Sequence, residues 1–310
     1  MKKDAYRTFL IVNPRSGGGF AGRRFERIAE HVEAAVGDFG HALTSGPGDA
    51  TRIAREAIEK GFEMIVAVGG DGTFNEVVNG FFEKGEPLNP EAVFGVIPRG
   101  TGGDLRRTLG VPKDLRQASA LLSGRRVKTV DVGHVSFVSH DGKEAERVFI
   151  NIASFGVSGL VVDRVNGASK ILGGKASFMI GSVKALLQYR DQEVTVTMDD
   201  GRRVTGPVTC VAVCNGQYFG GGMRVAPSAR MDDGLFDVTT WVGFSLKDFA
   251  VSSRMLYDGS HIEDPRTRAG HAKVLRADSE EKVLLDIDGE QPGHLPVTIR
   301  LLPSTLKLKC

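Results

Sequence analysis

The stretch VAVGGDGTFNEVVNG, Val66 to Gly80, decides how this chain is read. An apolar run stops at two glycines, a carboxylate sits inside the turn, and a helix-like pattern resumes at once. Asp71 stands between Gly70 and Gly72, where an anionic ligand would meet a like charge. The stretch carries neither the dinucleotide fingerprint G-x-G-x-x-G nor the phosphate loop G-x-x-x-x-G-K-[ST]. Another account of the turn is needed.

Working outward, the first third of the chain alternates strand and helix. TFLIV (8–12) reads as a buried strand followed by the glycine-rich NPRSGGG. Phe25, Ile28, Ala29, Val32 and Val36 recur at helical spacing, and Gly37 supplies a stop. HALT reads as a second strand. Asp49 is placed to cap a helix carrying Ile53, Ala54, Ala57 and Ile58, ended by Gly61. MIVAV and VFGVIP are the third and fourth strands. Continuous apolar strands alternating with amphipathic helices predict a parallel sheet covered on both faces. Glycine clusters follow strands one, three and four, and ligands of open α/β sheets bind at the carboxyl ends of strands. Three clusters at three such ends converge on one crevice.

After about Val127 the pattern changes. KTVDVGHVSFV, RVFINIAS, EVTVTMDD-GRRVTG, VTCVAVCNG, LFDVTTWV, AKVLRAD, KVLLDIDGE and VTIRLLP read as strands joined by turn signals. Val194 and Val196 alternate with Thr195 and Thr197, and DDG is a hairpin turn. This predicts an antiparallel sandwich or barrel with helical insertions near 175–190 and 245–257. The predicted domains are an α/β nucleotide-binding domain, 1–127, and a β domain, 128–302. STLKLKC alternates like one more strand, and the segment 303–310 can return to the first domain.

Composition sets the bounds. The chain has 310 residues, 41% hydrophobic and 25% charged, with a net charge of +2. That balance argues against nucleic acid as the main partner. Three cysteines do not make a disulfide framework. Cys210 and Cys214 fall on one face of a strand and read as buried thiols. MKKDAYRTFLIVNP lacks the long apolar region of a secretory signal, and no stretch reaches about 18 uninterrupted apolar residues. The expected location is cytoplasmic, with contact at a membrane surface left open.

Each turn has a chemical reading and a plain one. Backbone N–H groups in Asn13–Gly19 can form an anion-binding concavity beside a helix N-terminus, or the glycines can simply connect strand to helix. Asp71 can accept from a ribose or a water, hold Mg²⁺ beside phosphates, or cap a helix. In IPRGTGGDLRRTLG, Thr101 and the glycine amides can contact phosphate, and Asp104 can cap the helix bearing Arg106 and Arg107. The two arginines can equally form a solvated basic face.

Taken together, NPRSGGG, GGDGTFNEVVNG and PRGTGGDLRRTLG resemble the catalytic domain of the diacylglycerol kinase and sphingosine kinase superfamily, closest to the bacterial soluble lipid kinases. GGDGT alone also resembles NAD kinases and phosphofructokinases. FGVSGLVVDRVN, LGGKASFMIGSVKALLQY, CNGQYFGGGMRVAPSARMDDGLFDV and DIDGE resemble later motifs of the lipid kinases, so the likeness covers nearly the whole chain. It implies an α/β domain with a Rossmann-like parallel sheet and an all-β antiparallel sandwich with helical insertions. It also implies an ATP- and Mg²⁺-dependent lipid kinase acting on diacylglycerol or a related glycerolipid or sphingoid lipid. The lipid is met at the inner membrane surface, and a homodimer is compatible with it.

The resemblance also implies roles for matched residues. Asn13, Pro14, Arg15, Ser16, Gly17, Thr44, Gly69, Gly70, Asp71, Gly72, Thr73, Asn75 and Thr101 line the ATP site. The Asp233 side chain and the carbonyls of Arg230 and Leu235 hold a structural Mg²⁺, and a second Mg²⁺ travels with ATP. Glu290 is favoured as the base that takes the proton of the attacking hydroxyl, with Asp288 as its neighbour and Asp71 as a further catalytic residue. From the residues alone, Asp286 and Asp288 share a strand face, Glu290 follows a glycine turn, and plainly solvated acids explain the pattern as well. ILGGKASFMIGSVKALLQY can be an acyl-chain groove or an ordinary core helix, and Arg125, Arg126 and Lys128 can meet lipid headgroups. One position departs from the family. The third motif usually reads G-T-x-N-D, and Gly103 stands where Asn is expected. An amide that would bridge loop and helix is missing. Two alternatives stand beside the lipid kinase: an NAD kinase-like enzyme for a soluble substrate, from the shared GGDGT, and an inactive nucleotide- or lipid-binding regulator, from Gly103.

Overall fold

Apolar runs become a parallel sheet where both of their faces can be covered. The computed structural model describes residues 5–167, 187–244, 248 and 254–309. The chain divides into two units, Met1–Asp131 with Pro303–Cys310, and Val132–Leu302.

The first unit runs β1 (Thr8–Val12), α1 (Ser16–Arg23), α2 (Phe25–Val36), β2 (Phe39–Leu43), α3 (Asp49–Glu59), β3 (Met64–Gly69) and α4 (Asp71–Asn79). A small hairpin of β4 (Phe82–Glu83) and β5 (Glu86–Pro87), then β6 (Val93–Pro98), α5 (Asp104–Leu109) and α6 (Leu115–Ala120), complete it. The sheet order is β2-β1-β3-β6, all parallel. Leu10, Val12, Met64, Val66, Val68 and Ile97 pack on one face with Ile28, Val32 and Val36 of α2. On the other face α3 and α4 cover β1 and β3 with Ile53, Ala57, Phe74 and Val78. Each of these larger side chains, buried fully, contributes roughly 1.5–3 kcal/mol.

Asp49 does not cap α3. Gly48 occupies the N-cap, and the Asp49 carboxylate accepts from the Ser45 N–H at 2.8 Å and its hydroxyl at 2.9 Å, closing the preceding loop instead.

The second unit is an antiparallel sandwich. Its elements are β7 (Lys128–Ser139), β8 (Glu144–Phe149), β9 (Ile152–Gly156), α7 (Val157–Gly167), β10 (Gln192–Met198), β11 (Arg203–Val208), β12 (Cys210–Cys214) and β13 (Phe236–Trp241). Then come β14 (Thr267–Ala272), β15 (Val274–Asp278), β16 (Leu285–Ile287) and β17 (Gly293–Lys309). One sheet is ordered β14-β13-β12-β9-β16. The other runs β11-β10-β15-β17, with β7 beside β17 and β8 beside β7. Phe155, Val211, Val213, Val238 and Ile287 from the first sheet meet Val135, Phe137, Val196, Leu275 and Ile299 from the second. The alternation on β12 sends Cys210, Ala212 and Cys214 to the opposite face, against Val225, Ala226 and Ala229. Both cysteines are buried and free.

Two details differ from the sequence expectations. RVFINIAS is two strands, β8 and β9, broken at Ile150–Asn151, where backbone N–H groups turn toward Asp288. VTIRLLP and STLKLK form one strand, β17, whose last residues pair in parallel with Val93–Gly95 of β6. The groove sequence 171–189 and the insertion 245–257 fall largely outside the described residues. Among the described residues, no helix is long and apolar enough to cross a membrane.

Candidate functional site

The carboxyl ends of β1, β3 and β6 carry three turns that touch one another. The Asn13 N–H donates to the Val68 carbonyl at 3.0 Å, and its side-chain amide donates to Thr73 Oγ1 at 3.0 Å. The Asn13 side-chain oxygen accepts from the Arg15 N–H, which folds Asn13, Pro14, Arg15 and Ser16 into a tight turn. Gly17, Gly18 and Gly19 follow with φ of 61°, 69° and 82°. The Arg99 and Gly100 N–H groups both donate to the Gly69 carbonyl, at 2.6 and 3.0 Å. A Cβ on Gly17 would meet the Arg99 carbonyl oxygen at 2.6 Å, and one on Gly100 would overlap the Gly70 backbone. Glycine at 17 and 100 is therefore the condition for bringing the turns together. Gly100→Ala is expected to destabilise the protein by about 1–3 kcal/mol through this overlap. Urea unfolding measures it, and an unchanged midpoint would show that the turns can move apart.

Asp71 joins the second turn to the third. One carboxylate oxygen accepts from the N–H groups of Gly103 (2.7 Å) and Asp104 (3.2 Å), and the other from Leu105 (3.1 Å). These are consecutive donors at the start of α5, so Asp71 caps a helix that is not its own. Asp104, expected as that cap, instead pairs with Arg107 at 2.7 Å. Gly103 has φ +72°, and this left-handed step aims three N–H groups at one carboxylate. Glycine and asparagine tolerate that conformation best, which accounts physically for glycine where the family's asparagine is expected. The bridge between loop and helix is made here by backbone and Asp71.

The remaining positions sort by burial. Thr73 and Asn75 are buried, and Asn75 accepts from the Asn79 amide through both its carbonyl and its side chain. Gly72 is half-buried and Thr101 is exposed. Thr44 directly follows β2, its N–H donating to the Val12 carbonyl at 2.9 Å. Arg107 donates to the Gly102 carbonyl and so braces the third turn, whereas Arg106 donates to the Val111 carbonyl just beyond the end of α5. Arg125 lies over the Tyr6 ring, and the Arg126 carbonyl accepts from Lys309 Nζ.

In the second unit the acidic turn has a similar logic. β16 ends at Ile287, and Ile287 and Glu290 exchange both backbone hydrogen bonds around Asp288-Gly289, with φ of 50° and 87°. Positive φ at both central residues is the tight hairpin turn that Asp-Gly favours. Asp286 and Asp288 therefore do not share a strand face: the strand stops between them. The Asp288 carboxylate accepts from three consecutive N–H groups, Ile150 (2.9 Å), Asn151 (3.1 Å) and Ile152 (2.8 Å). Its own N–H donates to the Ile152 carbonyl at 2.9 Å. Asp288 is half-buried and anchors the turn, whereas Glu290 is exposed. Asp288→Ala is expected to cost about 1–3 kcal/mol, because it strands buried donors. Thermal or urea unfolding reads this out, and wild-type stability would remove the anchoring role.

The loop carrying Arg230, Asp233 and Leu235 is a turn. The Leu235 N–H donates to Asp233 Oδ1 at 3.1 Å, Met231 is buried beneath, and Asp232 and Asp233 are exposed. Among the described residues, no three His, Cys, Asp or Glu side chains gather as a metal group. A single carboxylate with two backbone carbonyls is nonetheless an all-oxygen donor set, which suits Mg²⁺ completed by water.

Sequence reasoning passed over Asp286 as a site residue, together with the amides of 150–152. Asp286 is 7% exposed, and burial pushes its carboxyl up to about 7. An acid at the buried end of an apolar strand was the available signal.

Comparison with known proteins gives these features a family. The diacylglycerol kinase catalytic domain family matches residues 7–135, and the YegS C-terminal NAD kinase beta sandwich-like domain family matches residues 151–310. The chain is 31% identical over 292 residues to the diacylglycerol kinase of Bacillus subtilis (strain 168), covering 94% of this chain and 91% of that one. It is also 31% identical over 291 residues to the diacylglycerol kinase of Staphylococcus carnosus (strain TM300), covering 94% and 90%. A crystal structure of a diacylglycerol kinase from Bacillus anthracis str. Sterne superposes with a TM-score of 0.73 at 27% identity, covering 100% of this chain and 98% of that one. Yeast NADH kinase complexed with NADH shares the fold, with a TM-score of 0.54 at 11% identity. The chain belongs to the diacylglycerol kinase family and is a kinase of that family.

Proposed function

We propose that this kinase transfers the γ-phosphoryl group of ATP to a lipid hydroxyl, on diacylglycerol or a related glycerolipid or sphingoid lipid. The observation that carries the reading is the convergence of three glycine turns at the ends of β1, β3 and β6. The phosphates of ATP would lie on the N–H groups of these turns, around Asn13, Pro14, Arg15, Ser16, Gly17, Gly69, Gly70, Gly72, Thr73 and Thr101. Thr44 and Asn75 would support the same site. Asp71 serves by fixing the third turn against the second, since both its oxygens accept N–H donors.

Glu290 would take the proton of the attacking hydroxyl. As the new oxygen–phosphorus bond forms, the bond to the leaving ADP oxygen breaks, and the products are a lipid phosphate and ADP. Asp288 holds the turn that presents Glu290. Mg²⁺ supplies charge neutralisation on the phosphates when it is bound with the nucleotide. Asp233 with the carbonyls of Arg230 and Leu235 would hold a further, structural Mg²⁺. The acceptor would be met at a membrane surface by a peripheral protein.

Purified protein incubated with ATP and Mg²⁺ against diacylglycerol, a sphingoid base and NAD tests the reading. Phosphate transfer to a lipid, lost on adding EDTA, is the expected result. Transfer to NAD alone would overturn it, and so would ATP binding without transfer to any acceptor.

A further inference from the structure

Asp286 is one of several buried acids that take no part in the proposed transfer, and it lies beside Glu290. Asp286 Oδ1 accepts from the Gly289 N–H at 2.8 Å, inside the turn that carries Glu290. Its other oxygen lies 3.3 Å from Ser154 Oγ, whose register partner it is across β16 and β9. Ser154 Oγ lies 2.9 Å from Ser158 Oγ at the start of α7, and Ser158 hydrogen-bonds in turn with Cys210 on β12. Ser154, Ser158, Cys210 and Asp286 are all buried.

We propose that Asp286 is a positioning residue for Glu290, tying down the Glu290 turn with one oxygen and joining a buried hydroxyl–thiol chain with the other. The proposal rests on the reading that Glu290 takes the proton of the substrate. The chain has two complete settings. With Asp286 protonated, its O–H donates to Ser154, Ser154 to Ser158, and Ser158 to the sulfur. With Asp286 ionised, the order reverses: the Cys210 S–H donates to Ser158, Ser158 to Ser154, and Ser154 to the carboxylate. In both settings Ser154 and Ser158 each accept one hydrogen bond and donate one, so the chain stays intact through the change. Burial pushes the Cys210 thiol up to about 12, so it remains available as a donor.

The groups facing Asp286 are Ser154 from β9, Ser158 from α7 and Cys210 from β12. From its own turn it meets the Gly289 N–H and the charges of Asp288 and Glu290. Burial and then those two carboxylates favour the neutral form, held up to about pH 7. By the same coupling, neutral Asp286 spares Glu290 a further negative neighbour. Above that pH, three charges crowd a five-residue turn, and Glu290 loses its fixed position.

The test is kcat and KM from pH 5.5 to 8.5 for the wild type, Asp286→Asn, Asp286→Ala and Ser154→Ala. It is paired with carboxyl-carbon NMR of aspartate-labelled protein. The wild type is expected to lose kcat several-fold on the alkaline side, at constant KM for ATP, about a midpoint near 7. Asp286→Asn keeps an acceptor for Gly289 and a donor for Ser154, so the alkaline step disappears. Asp286→Ala releases the turn and lowers kcat by at least about tenfold at every pH. Ser154→Ala removes a hydrogen bond that favours ionisation, so the midpoint moves up, and this variant decides the matter should the alanine at 286 fail to fold. One carboxyl resonance titrates near 7 and is missing from Asp286→Asn. An alkaline step that persists in Asp286→Asn, a resonance in the ordinary aspartate range, or wild-type kcat in Asp286→Ala would overturn the proposal. Full activity of Glu290→Gln sinks the base assignment instead, while the resonance still decides whether Asp286 holds its proton.

Discussion

Glu290→Gln is expected to lower kcat by about 10²–10⁴-fold, the usual contribution of a positioned general base. The amide is nearly isosteric and cannot accept a proton at neutral pH. The turn itself is made by backbone bonds between Ile287 and Glu290 and by the Asp288 carboxylate, none of which needs the Glu290 side chain. Folding and the KM for ATP should therefore stay near the wild type. Steady-state kinetics with circular dichroism and unfolding on the same sample separates the outcomes. A fall in kcat with intact stability supports the role, and undiminished kcat removes it.

Asp71→Ala is expected to have the next largest effect, and on two readouts together. Three N–H groups of Gly103, Asp104 and Leu105 lose their acceptor, and all three residues are buried. Leaving buried donors unsatisfied costs about 1–3 kcal/mol. The third turn then loses its tie to the second, and misplacement of a phosphate-binding turn by about 1 Å can cost on the order of 10²-fold in kcat/KM. Asp71→Asn keeps a carbonyl oxygen and should recover part of the stability. Urea unfolding and kinetics on both variants test this. A variant that loses activity at wild-type stability would point to a direct contact of Asp71 with nucleotide or metal instead.

The opening stretch shows what sequence carries and what it hides. The strand of Val66–Val68 and the helix after Asp71 were legible from apolar runs and spacing, as was the alternation of Val194 and Val196 in the β unit. The parallel sheet and the antiparallel sandwich follow from those local patterns. The work of Asp71 was not legible, because its partners lie 32 to 34 residues away on another turn. Asp288 is the same case at 136 to 138 residues. Both acids precede a glycine and each collects three consecutive N–H groups, yet nothing local to DGT or DGE names those donors. Spacing also misled at Asp286 and Asp288, since a period of two holds only while a strand continues. The single strand β17 reads as two segments, VTIRLLP and STLKLKC, and they meet at Pro303, a residue that cannot donate to a ladder. The chain there passes to the first unit, with the Ser304 N–H on Asp131 at 2.7 Å.

The most direct test of the account follows the phosphate. The protein is incubated with γ-labelled ATP, Mg²⁺ and a total lipid extract to which NAD has been added, and the products are separated by chromatography. Label is expected in a lipid phosphate, and is expected to be absent when Glu290→Gln replaces the wild type. Label confined to the NAD product, or retained entirely in ATP, would contradict it.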